Sequence, residues 1–154
     1  MIKVLFICHG NICRSTMAEF VFTHMVNHAG LADCFHIESA ATSREEIGND
    51  THYGTKRKMK EMGIPTWRRA ARQMTKKDYE YYDYILAMES YNLRNIDRII
   101  GSDTGGKVHL LLDYTDRPGD IADPWYTGNF DETYEDVVEG LEGFMEYLKN
   151  TGQI

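Results

Sequence analysis

Apolar and polar positions fall into blocks along the chain. Ile2-Lys3-Val4-Leu5-Phe6-Ile7 is a short run rich in β-branched side chains, the pattern of a strand buried on both faces. A polar stretch follows from Cys8 to Ser15. Met17, Ala18, Val21, Phe22, Met25 and Val26 then recur at helical spacing. Gly30 can close that helix with a left-handed residue. The opening therefore predicts strand, tight loop and helix.

The unit recurs. Phe35 to Ala40 predicts a second strand, and a helix around Thr55 to Met62 is stopped by Gly63 and Pro65. Thr75-Lys76-Lys77-Asp78 resembles a capping box that starts a short helical turn. Tyr84 to Met88 predicts a third strand, and Leu93, Ile96, Ile99 and Ile100 mark a helix ended by Gly101. Lys107 to Leu112 predicts a fourth strand. Val137, Val138, Leu141, Phe144, Met145 and Leu148 stripe a last helix, which Gly140 and Gly143 should weaken. Alternating strands and helices predict an α/β fold: one domain over residues 1–154, a doubly wound four-stranded parallel sheet with helices on both faces. Ligands of such sheets bind beyond the carboxyl ends of the strands. That rule points to Cys8–Ser15, to the segments after Ser39 and Glu89, and to the loop from Asp113 to Phe130.

Composition narrows the classes. The chain has 154 residues, 42% of them apolar and 27% charged, with no low-complexity tract. A net charge of −7 argues against a general nucleic-acid binder. The basic runs Lys56, Arg57, Lys58, Lys60 and Arg68, Arg69, Arg72 read as solvated surface. No stretch approaches the about 20 apolar residues of a membrane span, and the first residues lack a signal-peptide pattern. Three cysteines, at 8, 13 and 34, make neither a disulfide framework nor a zinc pattern. A reduced, cytoplasmic protein without a membrane partner is expected, with no metal and no cofactor. His24 and His28 share a helix face at a ligand-like spacing but have no acidic partner motif.

Cys8-His9-Gly10-Asn11-Ile12-Cys13-Arg14-Ser15 lies between a strand and a helix N-terminus. Such a loop can direct several backbone N–H groups at one anion, aided by the helix dipole. Gly10 and Asn11 are the residues able to supply the positive φ of a tight cradle. Arg14 adds a planar fork for two phosphate oxygens, and Ser15 can donate to a Cys8 thiolate. The lysine of a nucleotide-binding loop is missing. Cys8 thus reads as a nucleophile facing a bound phosphate. Such chemistry needs an acid for the leaving oxygen. Asp113, Asp116, Asp120 and Asp123 all lie in the loop after the fourth strand. Asp123-Pro124-Trp125-Tyr126 stands out, because proline stiffens the backbone and the aromatics offer a wall for a flat ring.

Cys8 to Ser15 followed by Met17-Ala18-Glu19 resembles the signature of the low-molecular-weight protein tyrosine phosphatases. Ser39-Ala40-Ala41, Ala71-Arg72-Gln73, Asp83 to Met88 and Asp123-Pro124-Trp125 fall in that family's order. The resemblance implies a cysteinyl-phosphate mechanism with Cys8 as nucleophile, Arg14 on the phosphate and Asp123 as general acid. It also implies that Asn11 keeps the loop's shape through Ser39, and that Cys8 and Cys13 can form a reversible disulfide. Ile12, Trp125 and Tyr126 would line the cleft; relatives acting on phosphoarginine carry threonine at the position of Ile12. The sequence departs from the family pattern at Thr16, where proline is usual, and at Glu45, where a bulky wall residue is common. The implied substrates are phosphotyrosine proteins or small aryl phosphates, handled by a monomer or weak dimer. Other readings are a broad acid phosphatase, an arsenate reductase and a non-catalytic phosphate-binding module. Arsenate reduction needs late cysteines, and none follows Cys34. Binding alone requires neither nucleophile nor acid.

Overall fold

The computed structural model describes residues 1–154. Strand β1 (Ile2–Cys8) lies between β2 (Phe35–Ala41) and β3 (Tyr84–Ala87), and β4 (Val108–Leu110) flanks β3. All three pairings are parallel. Six helices complete the α/β domain: α1 (Arg14–His28), α2 (Tyr53–Glu61), α3 (Lys76–Tyr81), α4 (Ser90–Ile100), α5 (Pro124–Thr127) and α6 (Phe130–Asn150). No helix is long and apolar enough to cross a membrane.

The pleat of β1 divides the core in two, because successive side chains point to opposite faces. Val4, Phe6 and Cys8 join a cluster with Met17 and Phe22 of α1 and with Leu141 and Phe144 of α6. Leu5 and Ile7 join the other, with Ile85, Tyr82 and Ile96 of α4. Continuous apolar runs in β1 and β3 are what a strand covered on both faces demands. The strand order puts the connection reversal between β1 and β3. Their carboxyl ends, at Cys8 and Ala87, therefore open onto one crevice.

Three local outcomes differ from the sequence pattern. β4 stops at Leu110, because Leu110 N–H donates to the Asp113 carboxylate (3.1 Å) and the chain turns into a 3₁₀ turn over Leu111–Tyr114. Met88 likewise leaves β3 early: its N–H donates to Asn92 Oδ1 at 3.1 Å, part of the cap of α4. α6 starts at Phe130, ahead of its apolar stripe, capped by Asn129 accepting from Glu132 N–H at 3.0 Å.

Gly140 and Gly143 do not interrupt α6. A Cβ on Gly143 would stand 2.1 Å from the Tyr114 carbonyl oxygen, and one on Gly140 would stand 2.6 Å from Leu111 Cγ. Their bare surface lets α6 close on the turn that leads into the Asp113–Asp123 loop. Helix propensity alone would make Gly143→Ala stabilising by about 1 kcal/mol. Overpacking against backbone reverses the sign, so a net loss of about 1–3 kcal/mol is expected. A urea midpoint that rises in Gly143→Ala would show that the contact is dispensable.

Candidate active site

The loop over residues 9–13 joins β1 to α1, and its shape centres on Asn11. Asn11 is fully buried and is the only non-glycine residue with positive φ, at 60°. Gly10, expected to share that conformation, does not adopt positive φ. A Cβ there would meet Glu46 Cγ at 3.4 Å, an ordinary contact distance, so neither dihedral nor space at this position demands a glycine.

A left-handed asparagine costs free energy unless its surroundings hold it. Here every polar atom of its side chain is engaged. Nδ2 donates to Ser15 Oγ (2.8 Å) and Ser39 Oγ (2.9 Å). Oδ1 accepts from the Arg69 guanidinium and from Arg72 N–H (3.3 Å). Arg69 also donates to the Asn11 carbonyl oxygen at 2.8 Å. Ser39 in turn donates to the Glu19 carboxylate. Burial raises the Glu19 pKa, against the pull of Ser39 and Arg69. Arg72 is fixed by two bonds to Asp78, at 2.9 and 3.1 Å.

This network ends on sulfur. Cys8 Sγ lies 3.0 Å from Ser15 Oγ and accepts from Asn11 N–H at 3.3 Å. With the thiol protonated, Cys8 donates to Ser15 Oγ, which also accepts from Asn11 Nδ2; the Ser15 hydroxyl can donate back once that thiol proton is gone. Cys8 and Cys13 are both free thiols, buried at the base of the cleft. Burial pushes the Cys13 thiol up to about 12, and Cys8 and Asp123 add to the shift. α1 carries no side-chain cap, which leaves its first-turn N–H groups facing the loop.

Arg14 is 2% exposed and divides its guanidinium between two carboxylates and a carbonyl. It binds Glu89 through Nη1, donates to the Ile121 carbonyl oxygen at 2.9 Å, and reaches Asp123 Oδ2 at 3.3 Å. Burial opposes its charge, but Cys8, Asp123 and Glu89 outweigh it and raise its pKa. Asp123 is the N-cap of α5, with Oδ1 accepting from Trp125 N–H at 3.0 Å. The other loop aspartates are occupied elsewhere or turned outward. Asp113 caps the 3₁₀ turn, Asp120 accepts from Ser90 N–H and Oγ–H, and Asp116 stays on the loop surface.

Cys8, Ile12, Arg14, Asp123, Trp125 and Tyr126 line one cleft, with Glu45 and Glu46 at its rim. Trp125 and Tyr126 are exposed, whereas Ile12 is buried. His9 pairs with Glu45, Nε2 to Oε2, at 2.9 Å. Arg14 is the only lysine or arginine lining this cleft. His24 and His28 lie on α1 with ring centroids 4.3 Å apart.

The structure thus gathers Cys8, the loop residues, Arg14, Ser39, Asp123 and the cleft walls into one place. Arg69, Glu19 and Glu89 were missed by sequence reasoning. Arg69 and Arg72 belong to a basic run that reads as solvated, yet both are half-buried and hold Asn11. Lys58, in the other run, is also buried, with Asp131 at 2.8 Å. Glu19 offered a signal, a carboxylate set between Ala18 and Phe20 in an otherwise apolar stretch of α1.

Comparison with known proteins agrees with this architecture. Residues 3–154 match the family model of the low molecular weight phosphotyrosine protein phosphatases. The chain is 35% identical to the low molecular weight protein-tyrosine-phosphatase YfkJ of Bacillus subtilis, covering 100% of both chains. The crystal structure of YfkJ superposes with a TM-score of 0.94, over 99% of this chain and 97% of that one. The low molecular weight phosphotyrosine protein phosphatase of Gallus gallus is 41% identical over 94% of each chain. The Streptococcus pyogenes low molecular weight protein tyrosine phosphatase structure gives a TM-score of 0.87 at 39% identity, over 96% of this chain and 93% of that one. The chain belongs to the low molecular weight phosphotyrosine protein phosphatase family.

Proposed function

We propose that this protein hydrolyses phosphotyrosine through a cysteinyl-phosphate intermediate on Cys8. The observation that carries the reading is the convergence of Cys8, Arg14 and Asp123 in one cleft beside the uncapped start of α1. The phosphate sits on the loop amides and the Arg14 fork, within reach of Cys8 Sγ. The thiolate attacks phosphorus as the bond to the aryl oxygen breaks, and Asp123 gives its proton to that oxygen. The Asp123 carboxylate then takes a proton from water. The water oxygen bonds to phosphorus, the S–P bond breaks, and Ser15 donates to the departing thiolate. An incoming phosphate competes for the Arg14 nitrogen that holds Asp123, which frees the acid as the substrate seats.

Ile12, Trp125 and Tyr126 suit a flat ring, which favours phosphotyrosine proteins or small aryl phosphates. No step calls for a metal or cofactor. A chemistry that depends on free thiols fits a reducing cytoplasm, with the protein working as a monomer or weak dimer.

Release of phosphate from a phosphotyrosine peptide tests the mechanism. Cys8→Ser should be inactive while still binding inorganic phosphate. Asp123→Ala should lose about 10²–10⁴-fold on the peptide, and less on esters with good leaving groups. Full activity in Cys8→Ser would rule the mechanism out. A reduced wild type that binds phosphate without turning over the peptide would favour a binding module.

Cys13 stays a neutral thiol beside the nucleophile, and this has a thermodynamic signature. Its folded pKa is about 12, against about 8.5 for an unfolded cysteine, so the unfolded chain loses this proton first. The stability is complete below the unfolded value and falls as pH rises toward the folded one. Urea unfolding between about pH 8 and 11 should therefore show a downward slope that is shallower, by about one proton, in Cys13→Ala. An equal slope in both proteins would contradict the assignment.

A further inference from the structure

Two apolar walls of the cleft come from distant parts of the chain. Ile12 belongs to the phosphate loop and Trp125 to α5. Ile12 is buried with Cys13 and Ala71. Trp125 is 57% exposed and rides on a helix of four residues. Asp123 holds its backbone N–H, which does not orient the indole. Among aromatic rings Trp125 meets only His52, edge to face, with centroids 5.6 Å apart and planes at 74°.

His52 is tied to the other wall as well. Its backbone N–H donates to the Ile12 carbonyl oxygen at 2.8 Å. Its Nδ1 accepts from Gly54 N–H at 3.0 Å and so caps α2. Its ring stacks on Tyr53, with centroids 4.4 Å apart, and on Phe130, at 5.5 Å and 13°. Phe130 can come this close because a Cβ on residue 54 would stand 2.3 Å from its Cζ, and Gly54 has none. Phe130 also packs against the cluster of Ile12, Cys13 and Ala71.

We propose that His52 is a positioning residue that sets the spacing between Ile12 and Trp125, and with it the grip on a substrate's aromatic ring. The inference rests on the reading of this cleft as a phosphotyrosine site. Two contacts of different kinds carry it. The hydrogen bond to Ile12 fixes His52 relative to the phosphate loop, and the aromatic contact fixes Trp125 relative to His52. Edge-to-face rings prefer centroids about 4.5–7 Å apart, so the pair defines a distance as well as an attraction. The stacks on Tyr53 and Phe130 keep the imidazole from turning away. His52 itself does not line the cleft, so an anion without a ring should not sense it.

The test compares two ligands on full-length Cys8→Ser, where binding is read without turnover. Inorganic phosphate fills only the floor, whereas a phosphotyrosine peptide also needs the walls. His52→Asn keeps an acceptor for the cap and removes the ring. It should weaken the peptide about threefold to tenfold, the worth of one aromatic pair, and leave the phosphate Kd within about twofold. Trp67 and Trp125 are the only tryptophans, so with Trp67→Phe as background, acrylamide should quench Trp125 emission more strongly in His52→Asn. His52→Phe keeps a ring and loses the cap, so peptide affinity should stay near wild type while the urea midpoint falls. A purely structural residue reverses that order, because the cap is what it supplies. Equal losses of phosphate and peptide in His52→Asn, or no loss of the peptide, overturn the proposal. If that variant does not fold, Tyr53→Ala removes a stack from the same imidazole, and an unchanged ratio of peptide to phosphate affinity overturns it instead. Hydrolysis by the wild type tests the phosphatase reading separately: a protein that binds in this pattern without turnover keeps the positioning role and loses the mechanism.

Discussion

The site depends on one buried amide. Asn11 turns the chain at φ 60°, and the turn persists because four residues from three parts of the chain hold its side chain. Ser15 comes from α1, Ser39 from β2, and Arg69 and Arg72 from the stretch before α3. A dipeptide with Asn11's dihedrals would relax, since a non-glycine residue in this region is costly. The fold offsets that cost with hydrogen bonds to every polar atom of the side chain. The parallel register of β1 and β2, which sets Phe6 beside Ser39, is thereby tied to the geometry at Cys8.

A second tie runs from the opposite side. α6 closes on Leu111 and Tyr114 through Gly140 and Gly143, and this seats the turn that leads to Asp123. Ile121 N–H then donates to Met88 O at 2.8 Å, and the Ile121 carbonyl oxygen receives Arg14. Asp123 lies two residues further on. Asp123, the proposed acid, is thus located by the sheet, by α6 and by Arg14. These anchors fix the backbone that carries Asp123, as the positioning of a proposed proton donor requires.

Legibility followed the kind of physics involved. Burial of whole faces leaves periodic patterns, so β1, α1 and the sheet class could be read directly from apolar spacing. Strand ends could not, because Asp113 and Asn92 stop β4 and β3 with side-chain caps that period counting does not register. The loop chemistry was legible because Cys8, Asn11, Arg14 and Ser15 sit within eight consecutive positions. Arg69 and Glu19 were not, since their meaning lies in contacts across 58 and 20 positions of chain. Gly143 looked like a helix defect because propensity counts the residue alone, while its value lies in what approaches it. Asp123 stood out as the candidate acid only with the family resemblance, because four aspartates share one loop and only tertiary placement separates them.

The rim of the cleft sets the terms on which a substrate arrives. Glu45, Glu46 and Asp123 surround a single arginine, on a protein whose net charge is −7. A dianionic group entering the cleft passes these carboxylates, each of which repels it, before it meets that arginine. Mobile ions that screen these carboxylates weaken that repulsion. The mouth of the cleft is thus set apart from its floor: carboxylates stand at the entrance, and the one guanidinium lies beneath them.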